Sequence, residues 1–273
     1  MIEIQLTLAY LWVGLALAAV VAGVALRLGM LSADGWVAAV VVGGVTYGLG
    51  GLPAAILLIA FFASSSFFSK AFASRKRQVS ANFAKGGHRD WAQVAANGGV
   101  GLLTLIAAAA NWIPESVAWV AFAAGLAVVT ADTWATEVGV LSARQPILIT
   151  SGQQVPSGTS GGISLLGSFI ALMGAVLIAV LAWLFGMTTL VVIPLIAVAG
   201  LLGSFIDSLL GATQQAIYYC PKCKKETERH PLHSCGIPTT LHHGWRWLDN
   251  DWVNFLSSLF AALFAAAVFT LLV

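Results

Sequence analysis

Charged residues are scarce in this sequence. Only 9% of the 273 residues are Asp, Glu, Lys or Arg, whereas soluble domains average about 25%. This shortage excludes an ordinary soluble globular domain, and the net charge of +2 is too small to indicate nucleic-acid binding. Cysteine is rare as well, and all three cysteines lie between Cys220 and Cys235. A disulfide framework spread over a secreted fold is therefore excluded.

Apolar residues make up 59% of the chain. Their runs do not alternate with polar residues, as transmembrane strands do. The first run has neither a basic leading region nor a small-residue cleavage site, so we interpret it as a retained span and not as a signal peptide. Since a membrane span needs about 20 apolar residues, we predict about eight spans, at residues 4–26, 35–50, 52–69, 91–110, 115–135, 162–185, 189–212 and 252–273.

The predicted fold is all-α: a polytopic transmembrane helical bundle that forms a single integral membrane domain over residues 1–273. One pair of stretches, 35–50 and 52–69, leaves two alternatives open. The first of them is short and rich in glycine, and Pro53 turns the chain immediately after it. The pair is either two spans or a re-entrant hairpin.

All 13 basic residues fall in four connections between the predicted spans. These connections follow spans one, three and five and precede span eight, so they share one side of the membrane. Lys and Arg are retained in cytoplasmic loops. The distribution predicts that these loops lie in the cytoplasm and that both termini lie outside the cell membrane.

Several polar residues occur within the spans, where a carboxylate is costly and by default serves a function. Asp132 and Asp207 are the clearest, and helical spacing places Thr136 on the face of Asp132 and Ser204 on that of Asp207. More polar residues gather at the same predicted cytoplasmic ends: Asn97, Glu137, Asn250, Asp251 and Asn254. Such carboxylates could hold Mg²⁺ together with substrate phosphates, serve an ion pathway in a transporter, or pair structurally. Spacing alone leaves these three alternatives open.

A loop rich in glycine and hydroxyl residues connects spans five and six. It reads VPSGTSGG and leads directly into span six. Backbone N–H groups at a helix N-terminus form an anion cradle, so the candidate phosphate contacts are Gly158, Thr159, Ser160, Gly161 and Gly162. The basic residues nearest the membrane, Lys70 and Arg75, either neutralise a transferring phosphoryl group or only set topology and bind anionic lipid.

The predicted cytoplasmic loop 213–250 contains the three cysteines and several histidines. A Cys₃His set is a recognised tetrahedral zinc site, and here it would consist of Cys220, Cys223, His233 and Cys235. The CxxC half has ordinary spacing, whereas the His-x-Cys half is tighter than usual. The alternatives are a structural Zn²⁺, which would organise the loop, and free reduced thiols; a catalytic zinc is disfavoured because four protein ligands leave no open position.

Several motifs resemble the integral-membrane phytyl-phosphate kinase family over about residues 60–257. They are DTWATEVG at 132–139, VPSGTSGGISLLG at 155–167, GS-x2-DS-x-LGA at 203–212, ND-x-VN at 250–254, and the shorter SSFFSK at 65–70 and QVAANG at 93–98. Ser157 and Ser69 replace the Pro and Thr that many relatives have. More distantly, the chain is similar to the CTP-using dolichol kinases and CDP-lipid synthases.

The resemblance implies a Mg²⁺-dependent membrane kinase. Its donor would be an NTP, with CTP the first choice, and its acceptor an isoprenoid monophosphate such as phytyl or geranylgeranyl phosphate. The Mg²⁺ ligands would be chiefly Asp132 and Asp207, then Glu137 and Asp251, while Lys70 and Arg75 would offset charge. Substrate and nucleotide contacts would come from Ser65, Asn97, Thr136, the loop 158–162, Ser204, Asn250 and Asn254.

Two other functions stay open at this point. One is a transporter or flippase for a phosphorylated lipid or a small anion, and the other is a CTP-dependent nucleotidyl transferase that makes a CDP-lipid. The expected partners of the kinase are the NTP, the isoprenoid monophosphate, membrane lipid and, in an oligomer, further copies of the chain. No nucleic acid is expected.

Overall fold

The structure is a computed structural model that describes residues 4, 7–72 and 88–272. Seven helices in these ranges are long and apolar enough to cross a membrane, which confirms the polytopic helical bundle. They are α1 (Leu8–Arg27), α2 (Ala33–Ala71), α3 (Trp91–Ala109), α4 (Glu115–Gly139), α5 (Leu165–Leu184), α6 (Ile193–Thr213) and α7 (Asn250–Leu272).

Helix α2 folds back on itself in the middle. Its 39 residues would extend about 58 Å if straight, yet the Lys70 ammonium near its end donates a 2.7 Å hydrogen bond to the Leu28 carbonyl, just before its start. The reversal occurs at Gly51, whose φ of 62° is readily adopted only by glycine, and Pro53 begins the second arm. The predicted stretches 35–50 and 52–69 are therefore two helical arms that run in opposite directions and join at Gly51.

Helix α4 forms the centre of the bundle. Every residue from Val117 to Ala131 is buried, and α4 contacts α2, α3, α5, α6 and α7. Its many alanines keep the helix narrow, so neighbouring backbones approach it closely. Helix α1, in contrast, packs on α2 at the periphery, and its large apolar side chains are largely exposed, as expected for a lipid-facing helix.

The sequence LLGSFI occurs at the start of α5 and again within α6. In α5 its glycine, Gly167, lies against the backbone of Ala135 and Gly139 in α4. In α6 the equivalent Gly203 packs on Val128 so closely that an added Cβ would lie 2.2 Å from the valine Cγ2. Both copies thus serve as contact points with the central helix.

The described parts of the four connections that carry the basic residues meet at one end of the bundle, which we call the basic end. There β1 (Ile147–Leu148) pairs antiparallel with β2 (Gly162–Ile163). The cysteine-containing connection forms a small antiparallel sheet of β3 (Ile217–Cys220), β4 (Lys225–Thr227) and β5 (Thr240–His243), in the order β4-β3-β5. We call this sheet with its connecting turns, residues 217–243, the strand lobe.

Candidate active site at the basic end

A polar cavity of about 650 Å³ opens at the basic end, and this volume is typical of small-molecule sites. It collects most of the residues singled out from sequence. Those that line it are Asn97, Asp132, Thr136, Glu137, Gly158, Thr159, Ser160, Gly161, Gly162, Ser204, Asp207, Asn250, Asp251 and Asn254. Residues from four helices and one loop therefore converge on a single site, while their individual roles remain predictions.

Asp132 and Asp207 lie close enough for their charges to interact. Helices α4 and α6 run in the same direction, and they touch where Gly203 packs on Val128. Asp132 lies about one helical turn after Val128, and Asp207 lies about one helical turn after Gly203. The two aspartates are therefore at the same level of the bundle. Ser257 of α7 donates a 3.1 Å hydrogen bond to Asp207 Oδ2. The ligand atoms available here are oxygens, and this chemistry fits Mg²⁺.

Arg89, just before α3, supplies a cation at the edge of the cavity. Its guanidinium lies 5.2 Å and 5.0 Å from the ring centroids of Phe61 and Phe62. The Nη1 atom is buried and has no hydrogen-bond partner among the described residues. Burial lowers the Arg89 pKa to about 10, against the opposing effect of the Glu137 charge, so the side chain remains cationic at neutral pH. Glu137 itself accepts a 2.8 Å hydrogen bond from Ser69.

The glycine-rich loop packs directly on α6. Gly161 has a φ of 79°, and an added Cβ would lie 2.4 Å from the Ala212 Cβ and 2.7 Å from the Ser208 carbonyl oxygen, so no other residue fits this position. The expected cradle of consecutive N–H groups is only partly present. The N–H groups of Thr159 and Gly162 donate within the loop, because they close its tight turns.

Sequence reasoning missed several residues that line the cavity. The most informative are Gln215, Glu228 and Arg229, which border or belong to the strand lobe. Gln215 Nε2 donates a 2.9 Å hydrogen bond to Glu228 Oε1, and the Glu228 charge interacts with that of Asp132. No local pattern indicates these residues, because the fold of the loop brings them to the helices. In the sequence, nothing distinguishes Arg89 from the other basic residues.

Two residues predicted for the site, Lys70 and Ser65, are not among the residues that line it. Lys70 points its ammonium at the Leu28 carbonyl instead. Ser65 is fully buried in α2, and Arg75 lies outside the described residues. The cations that line the cavity in the described part of the chain are Arg89 and Arg229.

A second cavity, apolar and about 250 Å³ in volume, adjoins the first. It lies between α1, the two arms of α2 and the beginning of α3. Both cavities share three lining residues, Arg89, Gln93 and Asn97. A polar compartment and an apolar compartment therefore meet at the half-buried side chain of Arg89.

The four Cys and His side chains predicted as zinc ligands converge in the strand lobe. We call Cys220, Cys223, His233 and Cys235 the thiol cluster; their ligand atoms all lie within 4.8 Å of one another. A hydrogen bond with His233 lowers the pKa of the Cys235 thiol to about 6. Hydrogen bonding with Cys235 raises the pKa of Cys223 to about 11.

Comparisons with known proteins agree with a membrane bundle. The family model described as integral membrane protein DUF92 matches residues 16–262. Protein PGR of Arabidopsis thaliana is 35% identical over 226 residues, which cover 74% of this chain and 77% of that protein. An uncharacterized membrane protein of Methanocaldococcus jannaschii is 32% identical over 160 residues, or 58% of this chain and 63% of the relative. No solved structure matches the chain.

Proposed function

The chain belongs to the integral membrane protein family DUF92, and we propose that it acts as a Mg²⁺-dependent lipid-phosphate kinase. The acceptor is an isoprenoid monophosphate such as phytyl or geranylgeranyl phosphate, the product is the diphosphate, and the donor is an NTP, with CTP the first choice. We place the basic end in the cytoplasm and both termini outside the cell membrane, because basic residues are retained on the cytoplasmic side.

One observation carries this proposal: the polar and apolar cavities meet at Arg89, Gln93 and Asn97. A lipid monophosphate has the same division, with an anionic head and an apolar tail. Arg89 holds a buried donor, Nη1, without a partner among the described residues, and guanidinium groups bind phosphate strongly. The head would bind at this junction, and the tail would lie between α1, α2 and α3.

The remaining part of the polar cavity suits the nucleotide. N–H groups of the glycine-rich loop other than those of Thr159 and Gly162, together with N–H groups at the beginning of α5, would bind the donor phosphates. Asp132 and Asp207 would hold Mg²⁺, and Glu137 and Asp251 lie in the same cavity. When bound, the ion neutralises charge on the donor phosphates.

The chemistry requires alignment more than proton transfer. An oxygen of the lipid monophosphate attacks the γ-phosphorus of the NTP. The bond between the γ-phosphorus and the oxygen that bridges the β- and γ-phosphates breaks, and an NDP leaves. Since the attacking oxygen is already anionic, no strong general base is needed. The contribution of the protein is to orient the two substrates and to offset their charge, which Arg89 and Arg229 would do from the wall of the cavity.

The position of the carboxylates argues against the transporter but not against the nucleotidyl transferase. A transporter site is expected near the bilayer midplane, with access from both sides, whereas the carboxylates that line this cavity lie at the basic end. A nucleotidyl transferase would use the same kind of cavity, but would release pyrophosphate and form a CDP-lipid. The identity of the product therefore separates that function from a kinase.

The test uses purified protein with geranylgeranyl or phytyl monophosphate, Mg²⁺ and each NTP in turn, with products identified by mass spectrometry. We expect prenyl diphosphate and NDP, and a loss of at least about 100-fold in turnover for Asp132→Asn. Glu115→Gln is the matched control, because Glu115 lies at the other end of α4 and accepts a hydrogen bond from the Ile4 N–H.

Full turnover by Asp132→Asn would contradict the assignment of this residue. No NTP consumption, combined with ion-dependent uptake into vesicles, would establish the transporter instead. A CDP-lipid product with release of pyrophosphate would establish the nucleotidyl transferase.

A further inference from the structure

We propose that the thiol cluster binds one structural Zn²⁺, and that this ion holds the strand lobe against the candidate active site. The part about the active site rests on the proposed function, whereas the metal site itself does not.

Two of the spacings between the ligand atoms are close to those of tetrahedral zinc. With Zn–S near 2.3 Å and Zn–N near 2.0–2.1 Å, a tetrahedral ion separates two sulfurs by about 3.8 Å and a sulfur from a nitrogen by about 3.6 Å. The Sγ atoms of Cys220 and Cys235 are 3.6 Å apart, and the His233 Nδ1 is 3.2 Å from the Cys235 Sγ. All three cysteines are free thiols, so no disulfide competes for them.

The backbone also presents the ligands in two tight turns. Between Cys220 and β4, the Lys224 N–H donates to the Cys220 carbonyl at 2.8 Å. Between His233 and β5, the Gly236 N–H donates to the His233 carbonyl, also at 2.8 Å. The first turn carries Cys220 and Cys223, the second carries His233 and Cys235, and the ligand atoms of both turns converge within 4.8 Å of one another.

The strand lobe is small, although Ile217, Tyr218 and Thr227 are buried. Its strands are only three or four residues long, and such short strands need an additional core or metal to stay folded. A structural zinc supplies that stability, because its binding free energy is available only in the folded lobe.

The lobe in turn supports the active site. Glu228 and Arg229 follow β4 directly and line the polar cavity. Gln215 links the lobe to the glycine-rich loop, because it accepts a 2.9 Å hydrogen bond from Ser160 and donates one of 2.9 Å to Glu228. Loss of the ion would therefore release one wall of the cavity and the support of the loop.

Other histidines of the lobe have different partners and provide controls. His242 Nε2 lies 3.3 Å from Glu226 Oε1, and His230 stacks on Tyr218 with ring centroids 4.4 Å apart. Neither side chain belongs to the converging set of ligand atoms. Their replacement should leave metal binding intact.

The test measures zinc in the purified, full-length protein by elemental analysis. We expect about one Zn²⁺ per chain in the wild type, a loss of at least about 10-fold in Cys223→Ser, and unchanged content in His242→Ala. In addition, thiol modification should release the wild-type zinc to a colorimetric chelator. Wild-type protein that contains no zinc and takes up none when Zn²⁺ is supplied would overturn the proposal, even if the variants fail to fold.

Hydrogen exchange tests the link to the cavity without any activity measurement. After zinc release, we expect faster exchange in peptides covering residues 158–162 and 225–229, and no change in the central part of α4. Unchanged exchange in the first two segments would overturn the supporting role of the ion. A protein that binds zinc but phosphorylates no lipid would contradict the proposed kinase activity and would still support the proposed zinc site.

Discussion

Arg89 is the residue through which the proposed function can be tested most sharply. It stands where the polar and apolar cavities meet, and its buried Nη1 has no hydrogen-bond partner among the described residues. A charge-assisted hydrogen bond to a lipid phosphate is worth about 1.5–3 kcal/mol, which corresponds to about 10- to 150-fold in binding. Arg89→Gln should therefore raise the KM for geranylgeranyl monophosphate by about this factor.

The effect should fall on KM more than on kcat. The lipid phosphate is anionic before the reaction and in the transition state, so Arg89 stabilises both, and removal of such uniform binding raises KM. Arg89→Lys should be intermediate, because lysine keeps the charge but lacks the planar fork. The assay is steady-state kinetics over a range of lipid concentrations at saturating NTP.

Two controls separate binding from folding. Arg144→Gln removes a basic side chain at the same end of the bundle that is exposed and does not line the cavity, so its KM should match the wild type. The melting temperature of Arg89→Gln reports the lost contact with the Phe61 and Phe62 rings. A folded Arg89→Gln protein with a KM within about two-fold of the wild type would refute the placement of the phosphate.

Two further predictions concern the shape of the cavities. Ala39 lines the apolar cavity, and Ala39→Leu should displace about three methylenes of the tail. At about 0.8 kcal/mol for each methylene, turnover of geranylgeranyl phosphate relative to geranyl phosphate should fall about 50-fold. The control variant Val41→Leu, at an exposed position, should show no change. Gly203→Ala should destabilise the protein by about 1–3 kcal/mol and reduce turnover, because its methyl overlaps Val128. The double variant Gly203→Ala with Val128→Ala should recover both stability, in a melting assay, and turnover, in an activity assay. No recovery would contradict the proposed spacing of α4 and α6.

The sequence determined the class of the fold and predicted the general place of the candidate site. Hydropathy is a local property, so each span could be recognised from its own residues. Asp132 and Asp207 could be singled out because a carboxylate in lipid is costly without a purpose. The sequence also predicted that both carboxylates lie at the same end of the bundle. The reason is that the basic residues occupy alternate connections between the spans, and these connections share one side of the membrane.

Only the tertiary structure decided which side chains meet. The fold-back of α2 at Gly51 places the two arms around an apolar cavity, and the folding of the strand lobe brings Glu228 and Arg229 to helices distant in sequence. Arg89 lines the cavity and packs on the Phe61 and Phe62 rings, whereas the Lys70 ammonium donates to the Leu28 carbonyl. The helices show little polar asymmetry, so their packing follows from small-residue contacts such as that of Gly203 with Val128. Such contacts join residues far apart in the chain, and no local pattern reveals them.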